Sequence, residues 1–504
     1  MKPWFIGACL AFCLLKPSPA ADLLIRDVRV LSPGEPAQAR RDVEITAGRI
    51  AAIHAHDPAR HAARVIDGGG RTLVPGLIDS HVHLANASGL RRRDTPRFAE
   101  LYAAYQAQLP RSYLFHGFTT VVDLQADADT VARLQATALA PRVLHCGPGL
   151  PLARDFQALD YPPGQFLQAY PNYLHDRHTQ AQLPAGEDPA RHTPQAVVAA
   201  LAAEGARCIK LVFEEALWWP GAEPPDFDLP SLAILREVVA AARARQLPVL
   251  LHATTPSGQQ LALDAGVDVL AHGLWEWPGA WNAARAPAAL SELAQRVARS
   301  GIALQPTFRV LRNDEAFYEP AFLDGESLRR VLPPALIQHL KTDAQGQRAL
   351  AHNRLRRIAP KVGLAADAVA SPAALQDFFR RYNARYEALI GAQAAAGQRL
   401  LFGSDTATGG LGWGHPPGLN GRLEMDAWQR AGIPLATLFE ALTLGNARAF
   451  GLAQELGRVR PGWRADLLLL GADPLQTLQA YDRIEWVIRD GQAIPRGALA
   501  ADRP

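Results

Sequence analysis

The sequence predicts an α/β fold, a (β/α)₈ barrel with a small β domain assembled from both ends of the chain. Short apolar segments alternate with helical stretches through the middle of the chain, the pattern of parallel strands joined by crossover helices. Eight such segments favour a closed barrel over an open sheet. Similar β-rich runs stand at the two termini, and no G-x-G-x-x-G or phosphate-binding Gly-rich string follows any strand. The length of 504 residues suits one barrel with an accessory domain.

At the N-terminus, Lys2 precedes an apolar run from Trp4 to Leu15, followed by Lys16-Pro17-Ser18-Pro19-Ala20-Ala21. A charged start, a short apolar core and small residues before a cut after Ala20 read as a secretory signal. The run is too short for a bilayer span, so the expectation is a periplasmic or secreted protein with residues 1–20 removed. The β-rich run then comprises Leu23 to Val30, Asp42 to Ile45 and Arg49 to Ile53, with a turn at Ala47-Gly48. Its counterpart at the far end comprises Ala465 to Leu470 and Ile484 to Ile488, before Asp490-Gly491.

The eight central strands start near Leu77, Thr119, Arg142, Cys208, Pro248, Val269, Ala303 and Leu400. Helical patterns separate most of them, for example Leu232 to Arg245, Leu290 to Ala298 and Leu375 to Ala395. The connections from Pro148 to Pro194 and from Arg309 to Ala396 exceed plain turns, and such excursions build lids and pockets.

An apolar fraction of 48% and a charged fraction of 20% describe an ordinary globular chain able to bury a large core. The net charge of +3 is small, and no Lys/Arg stripe interleaved with aromatics occurs, so nucleic acid is not an expected partner. Arg91-Arg92-Arg93 reads as a solvated loop. Cys9 and Cys13 fall in the leader, which leaves Cys146 and Cys208 as buried small hydrophobes or a bridge.

The chemistry lies where strands end. The first ends in Asp79-Ser80-His81-Val82-His83, and alternation sends His81 and His83 to one side, where both can ligate a metal. Others end in Leu251-His252, Ala271-His272-Gly273 and Gly403-Ser404-Asp405. One histidine alone is more simply a core residue; four strands each closing in a metal-competent side chain are harder to dismiss. Imidazole and carboxylate suit several divalent metals. Lys210 stands in Cys208-Ile209-Lys210-Leu211-Val212-Phe213, where burying an ammonium is costly. Either its stem packs while its head reaches solvent or a carboxylate, or the neutral amine takes up carbon dioxide as a metal-bridging carbamate.

Pro75 to His83, Gly117-Phe118-Thr119-Thr120-Val121-Val122-Asp123, Ile209-Lys210, His252, His272-Gly273 and Gly403-Ser404-Asp405 together resemble the amidohydrolase superfamily. Ala441 to Ala449 and Gly457 to Leu467 are similar to its last barrel helix and its return to the β domain. The resemblance implies a distorted TIM barrel over 76–454 and a β-sandwich from 21–75 plus 455–504. It implies two divalent metals, zinc the first expectation. His81, His83 and Asp405 would hold one and His252 and His272 the other, with carboxylated Lys210 and a hydroxide bridging. Asp405 would be the catalytic proton shuttle in cleavage of an amide or peptide-like C–N bond. Within the superfamily the chain is similar to the imidazolonepropionase-related, prolidase-like group. A small-molecule amide or dipeptide-like substrate follows, with no stable membrane span and room for a homo-oligomer.

Two rivals share the fold. Mononuclear deaminases commonly carry a Glu shortly after the His252 position, where this chain has Ala253-Thr254-Thr255-Pro256. Xaa-Pro dipeptidases tend to carry Gly-Gly-His where this chain has Gly147-Pro148-Gly149-Leu150. His145 is either a pocket residue or a packed core histidine. Trp275 and Trp277 are either an apolar wall or core. A reading of another class is a non-catalytic secreted metal-binding protein.

Overall fold

A computed structural model describes residues 21–503 apart from 92–93, 95, 162–164, 181–182, 218–225, 314, 320, 366 and 408–411. The expected signal segment and Arg92-Arg93 therefore lie outside the described residues. Five strands open the described chain: β1 (Leu23–Val30), β2 (Gln38–Thr46), β3 (Arg49–Ala55), β4 (Arg64–Asp67) and β5 (Thr72–Pro75). Seven follow in the middle: β6 (Leu77–Val82), β7 (Phe118–Asp123), β8 (Arg142–His145), β9 (Ile209–Phe213), β10 (Val249–Ala253), β11 (Val269–Leu270) and β12 (Ala303–Leu304). The chain closes with β13 (Leu467–Leu470), β14 (Ile484–Arg489) and β15 (Gln492–Pro495).

The two ends of the chain meet in one eight-stranded sheet. Its order is β15-β14-β13-β5-β1-β2-β3, with β4 paired parallel to β1. Ile25, Val43, Ile45, Leu467, Leu469 and Ile488 bury its inner face. β13 pairs antiparallel with β5, Leu467 opposite Pro75, which anchors the chain immediately before β6. The sequence reading missed β4, β5 and β15. Each has four residues, too few for alternation to show, and β15 ends in a proline at the sheet edge.

The middle forms two parallel sheets, β6-β7-β8 and β9-β10-β11-β12. β6 and β7 are buried at every residue, as strands covered on both faces must be. Between β8 and β9 there is no ladder among the described residues. Arg207 N–H donates to His145 O (2.7 Å), Leu150 N–H donates to Lys210 O (2.9 Å), and Cys146 is disulfide-bonded to Cys208.

The segment expected as the eighth strand is extended but forms no regular strand. It touches β12 through a parallel bridge at Leu304 and Leu400, and β6 through one at Val82 and Thr406. Ser80 N–H donates to Phe402 O (3.0 Å), and Asn446 Nδ2 donates to both Ile78 O and Phe402 O at 2.8 Å. A buried amide thus stitches β6 to this segment where a ladder would otherwise do so.

Helices cover the parallel strands at Leu232–Arg243, Ala288–Arg299 and Pro372–Ala395, close to the expected stretches. Ser231 caps the first, its hydroxyl accepting from Ile234 N–H. The expected helix over Ala441 to Ala449 is instead a wide π turn, Ala441–Gly445, continuing as Asn446–Ala449. No helix among the described residues is long and apolar enough to cross a membrane.

Candidate metal centre and substrate cavity

All six residues expected as metal ligands line one cavity of about 210 Å³. His81 comes from β6, His83 from just beyond it, Lys210 from β9, His252 from β10 and His272 from beyond β11. Asp405 is delivered by the segment bridging β12 and β6, its N–H donating to His81 O at 2.7 Å. Asp405 adopts a left-handed backbone (φ 54°), a strained choice for this residue that turns its carboxylate towards the histidines. Its Oδ1 lies 2.9 Å from His83 Nε2 and 3.4 Å from His81 Nε2, and Oδ2 lies 3.9 Å from His272 Nε2. The rings of His81 and His272 are 5.1 Å apart, and those of His272 and His252 4.5 Å.

Two residues beyond β12 set the histidines' orientation. Gln305 Oε1 lies 3.1 Å from His81 Nδ1, and Thr307 Oγ1 lies 2.7 Å from His272 Nδ1. Gln305 has its amide nitrogen committed to Ser80 O and Ser80 Oγ at 2.9 and 2.7 Å, so its oxygen faces His81. An acceptor on Nδ1 places the ring proton there and frees the Nε2 lone pair for the cavity. Gln305→Leu and Thr307→Val are each expected to weaken metal binding about 10- to 100-fold, measured by competition with a chelator. Asp79 supports the opposite side, accepting from Ser404 N–H (3.0 Å), Ser404 Oγ–H (2.5 Å) and His81 N–H (3.2 Å). Gly403 must lack a side chain, because a Cβ there would sit 2.7 Å from His81 Cβ.

Burial governs the titration of this cluster. It disfavours charge on Asp405, yet His81, His83 and His272 outweigh it and hold the carboxyl well below its usual range. Burial pushes His81 and His272 well below the usual imidazole value, so both present neutral nitrogen. Lys210, 4% exposed, is brought down to about 8 by burial, with Asp405 pulling the other way. Desolvation raises Asp79 to about 7.

The donor set fits a divalent cation. Ligand atoms of His81, His83 and Asp405 lie within 4.8 Å of one another. Asp405 Oδ1 is buried without a hydrogen bond of proper geometry, although His83 Nε2 is close. The neutral His81 imidazole beside the ionised Asp405 carboxylate is what a cation requires.

The amidohydrolase family model matches residues 72–494, most of the chain. The chain belongs to the amidohydrolase family. Curated relatives match short segments only. An adenine deaminase of Deinococcus deserti is 39% identical over 66 residues, 13% of this chain and 12% of that protein. A dihydroorotase of Bacillus caldolyticus is 42% identical over 82 residues, 16% of this chain and 17% of that protein. The chain thus spans less than a fifth of either. Solved structures match nearly throughout. A Xaa-Pro dipeptidase with bound methionine has a TM-score of 0.60 at 16% identity, covering 94% of this chain and 99% of that one. The A. niger ochratoxinase has a TM-score of 0.62 at 18% identity, covering 97% and 99%. At these identities the likeness is one of fold.

The cavity of this amidohydrolase settles several sequence alternatives. Trp275 lines it, its ring 4.9 Å from that of His272, whereas Trp277 is fully buried elsewhere under the Arg385 guanidinium. His145 does not enter the site. It lines a separate cavity with Arg142 and Glu204, and its Nδ1 accepts from Gly147 N–H at 3.1 Å. Phe156 and Gln157 from one long connection and Val310 from the other reach the metal cavity, as expected of such excursions. The sequence reading missed Gln305, Thr307 and Glu214. Glu214 Oε2 lies 3.0 Å from His252 Nε2.

Proposed function

We propose that this chain is an exported, metal-dependent amidohydrolase that cleaves an amide-type C–N bond of a small molecule. The observation that carries the reading is the convergence of His81, His83, Lys210, His252, His272 and Asp405 on one cavity. His81, His83 and Asp405 would hold one divalent ion and His252 and His272 a second, zinc being the first candidate. Lys210, as its carbamate, would lie between them. The two parallel sheets and the bridging 400–406 segment would then be a distorted (β/α)₈ barrel over 76–454. Residues 21–75 and 455–504 would supply the β-sandwich beside it.

Bound metals supply acidity to water and polarise a carbonyl oxygen. The chain's own groups do the rest. Asp405, ionised across neutral pH, is placed to take the proton of an attacking water and return it to the departing nitrogen. Trp275 and Phe156 supply apolar surface to the cavity lining. Export is supported by the N-terminal charged, apolar and small-residue pattern and by the Cys146–Cys208 bridge, which persists in oxidising compartments.

The test is metal analysis and amide turnover on protein recovered outside the cytoplasm, whose first residue is expected to be Ala21. About two metal ions per chain and hydrolysis of an amide panel are expected. Asp405→Asn should lower kcat by about 10²- to 10⁴-fold. Full metal occupancy with no turnover of any amide or ester would instead leave a structural metal protein.

A further inference from the structure

The metal cavity holds one charged group that the six expected ligands do not account for. Glu214 follows the last residue of β9 and is 6% exposed. Its Oε1 accepts from Ala216 N–H at 2.6 Å, which fixes the carboxylate, and its Oε2 sits beside His252 Nε2 on the cavity wall. A carboxylate has about four acceptor positions, and these two contacts leave capacity facing the cavity. Among the described lining residues no arginine occurs and Lys210 is the one lysine; the remaining polar lining is the amides of Asn86, Gln125 and Gln157.

We infer that Glu214 is a specificity-determining residue that binds the α-ammonium of an aminoacyl substrate, and that the leaving amine carries no carboxylate. The inference rests on the amide-hydrolase reading of the same cavity. An acyl group whose carbonyl lies among Lys210, His252 and His272 has its α-nitrogen two bonds from the carbonyl carbon. With its carbonyl beside His252, such a substrate would bring that nitrogen within reach of Glu214, whose Oε2 adjoins His252 Nε2. A charge-assisted hydrogen bond to a buried, pre-fixed carboxylate discriminates strongly, because an acylated nitrogen leaves the carboxylate desolvated and unmatched. Elsewhere in the described lining the amides of Asn86, Gln125 and Gln157 suit an uncharged leaving group, and no described lining residue offers a guanidinium to a free carboxylate. The cavity's small volume of about 210 Å³ favours short aminoacyl groups.

The experiment uses the metal-loaded enzyme with L-alanine 4-nitroanilide, its N-acetyl derivative and alanylglycine. Wild type is expected to favour the free-amine anilide over the acetylated one by about 10- to 100-fold in kcat/KM, expressed mostly in KM. It should favour the anilide over alanylglycine as well. Glu214→Gln should collapse the amine preference while metal content stays at two ions per chain. If Glu214→Gln loses a metal ion, Glu214 is a ligand and the inference falls. If wild type prefers the acetylated anilide, the inference falls while the hydrolase reading stands. Preference for alanylglycine overturns the leaving-group half. Calorimetric binding of L-alaninamide against N-acetyl-L-alaninamide gives a readout independent of turnover. Tighter binding of the free amine, lost in Glu214→Gln, sustains the amine-binding half even if hydrolysis is absent, in which case the hydrolase reading and the leaving-group half fall; equal binding overturns the amine-binding half.

Discussion

Lys210→Ala is expected to abolish hydrolysis, by about 10³-fold or more, and to reduce bound metal from two ions per chain to one or none. Lys210 is the second residue of β9, a strand otherwise composed of Ile209, Leu211, Val212 and Phe213. At 4% exposure Lys210 is buried with the Asp405 carboxylate acting on its ammonium, so a head paired with a carboxylate and the carbamate are the two states this variant separates. Burial lowers its pKa to about 8, so a sizeable neutral fraction exists near physiological pH. The neutral amine is the form that reacts with carbon dioxide. At a fixed concentration of dissolved carbon dioxide, reactivation of metal-free protein by metal should therefore quicken as pH rises from 7 to 9, through the lysine's own titration. Below that range the ammonium dominates and reactivation slows. Metal content and turnover are measured together, with and without bicarbonate. A Lys210→Ala protein that keeps two ions and its activity would remove the carbamate from the account.

Much of this site is legible in the sequence because the central strands are buried on both faces. In such a strand every exception to apolarity is conspicuous, and His81, Lys210 and His252 are such exceptions. His272 and Asp405 stand where apolar runs stop. Gln305 and Thr307 escape notice for the opposite reason. They alternate properly after Leu304, but Pro306 breaks the pattern and both residue types are ordinary in loops. Their role appears only when β12 lies beside β11 and the 400–406 segment beside β6. Glu214 is hidden by its neighbour. A Glu-Glu pair reads as solvated, yet Glu214 turns into the cavity while Glu215 accepts from Thr255 Oγ–H at 2.5 Å at the start of the Pro256–Ala265 helix beyond β10. Trp275 and Trp277 show the same limit, since two residues' separation outside a strand says nothing about which one faces the site.

Loss of the Cys146–Cys208 bridge is the second large effect expected, about 4 kcal/mol of unfolding free energy. The two cysteines are 62 residues apart and fully buried, so opening the bridge frees a long loop in the unfolded chain. The native cost is local. β8 and β9 share no ladder, and the bridge with two backbone hydrogen bonds is what joins the two parallel sheets there. Cys146→Ala/Cys208→Ala avoids placing unsatisfied hydroxyls in that core, so its penalty reports the crosslink and a small packing loss. Denaturant unfolding should show the double variant and the reduced wild type shifted to the same lower midpoint. Thiol titration of the unfolded, unreduced wild type should find neither cysteine free. Two free thiols, or a midpoint unmoved by the double substitution, would contradict the bridge as a fastener. Because Lys210 follows Cys208 by two residues and bonds through its carbonyl to Leu150, metal affinity should fall as well. That fall separates a seam holding Lys210 in place from a crosslink acting on the unfolded chain alone, since the latter would lower the midpoint and leave the folded protein's metal affinity as it was.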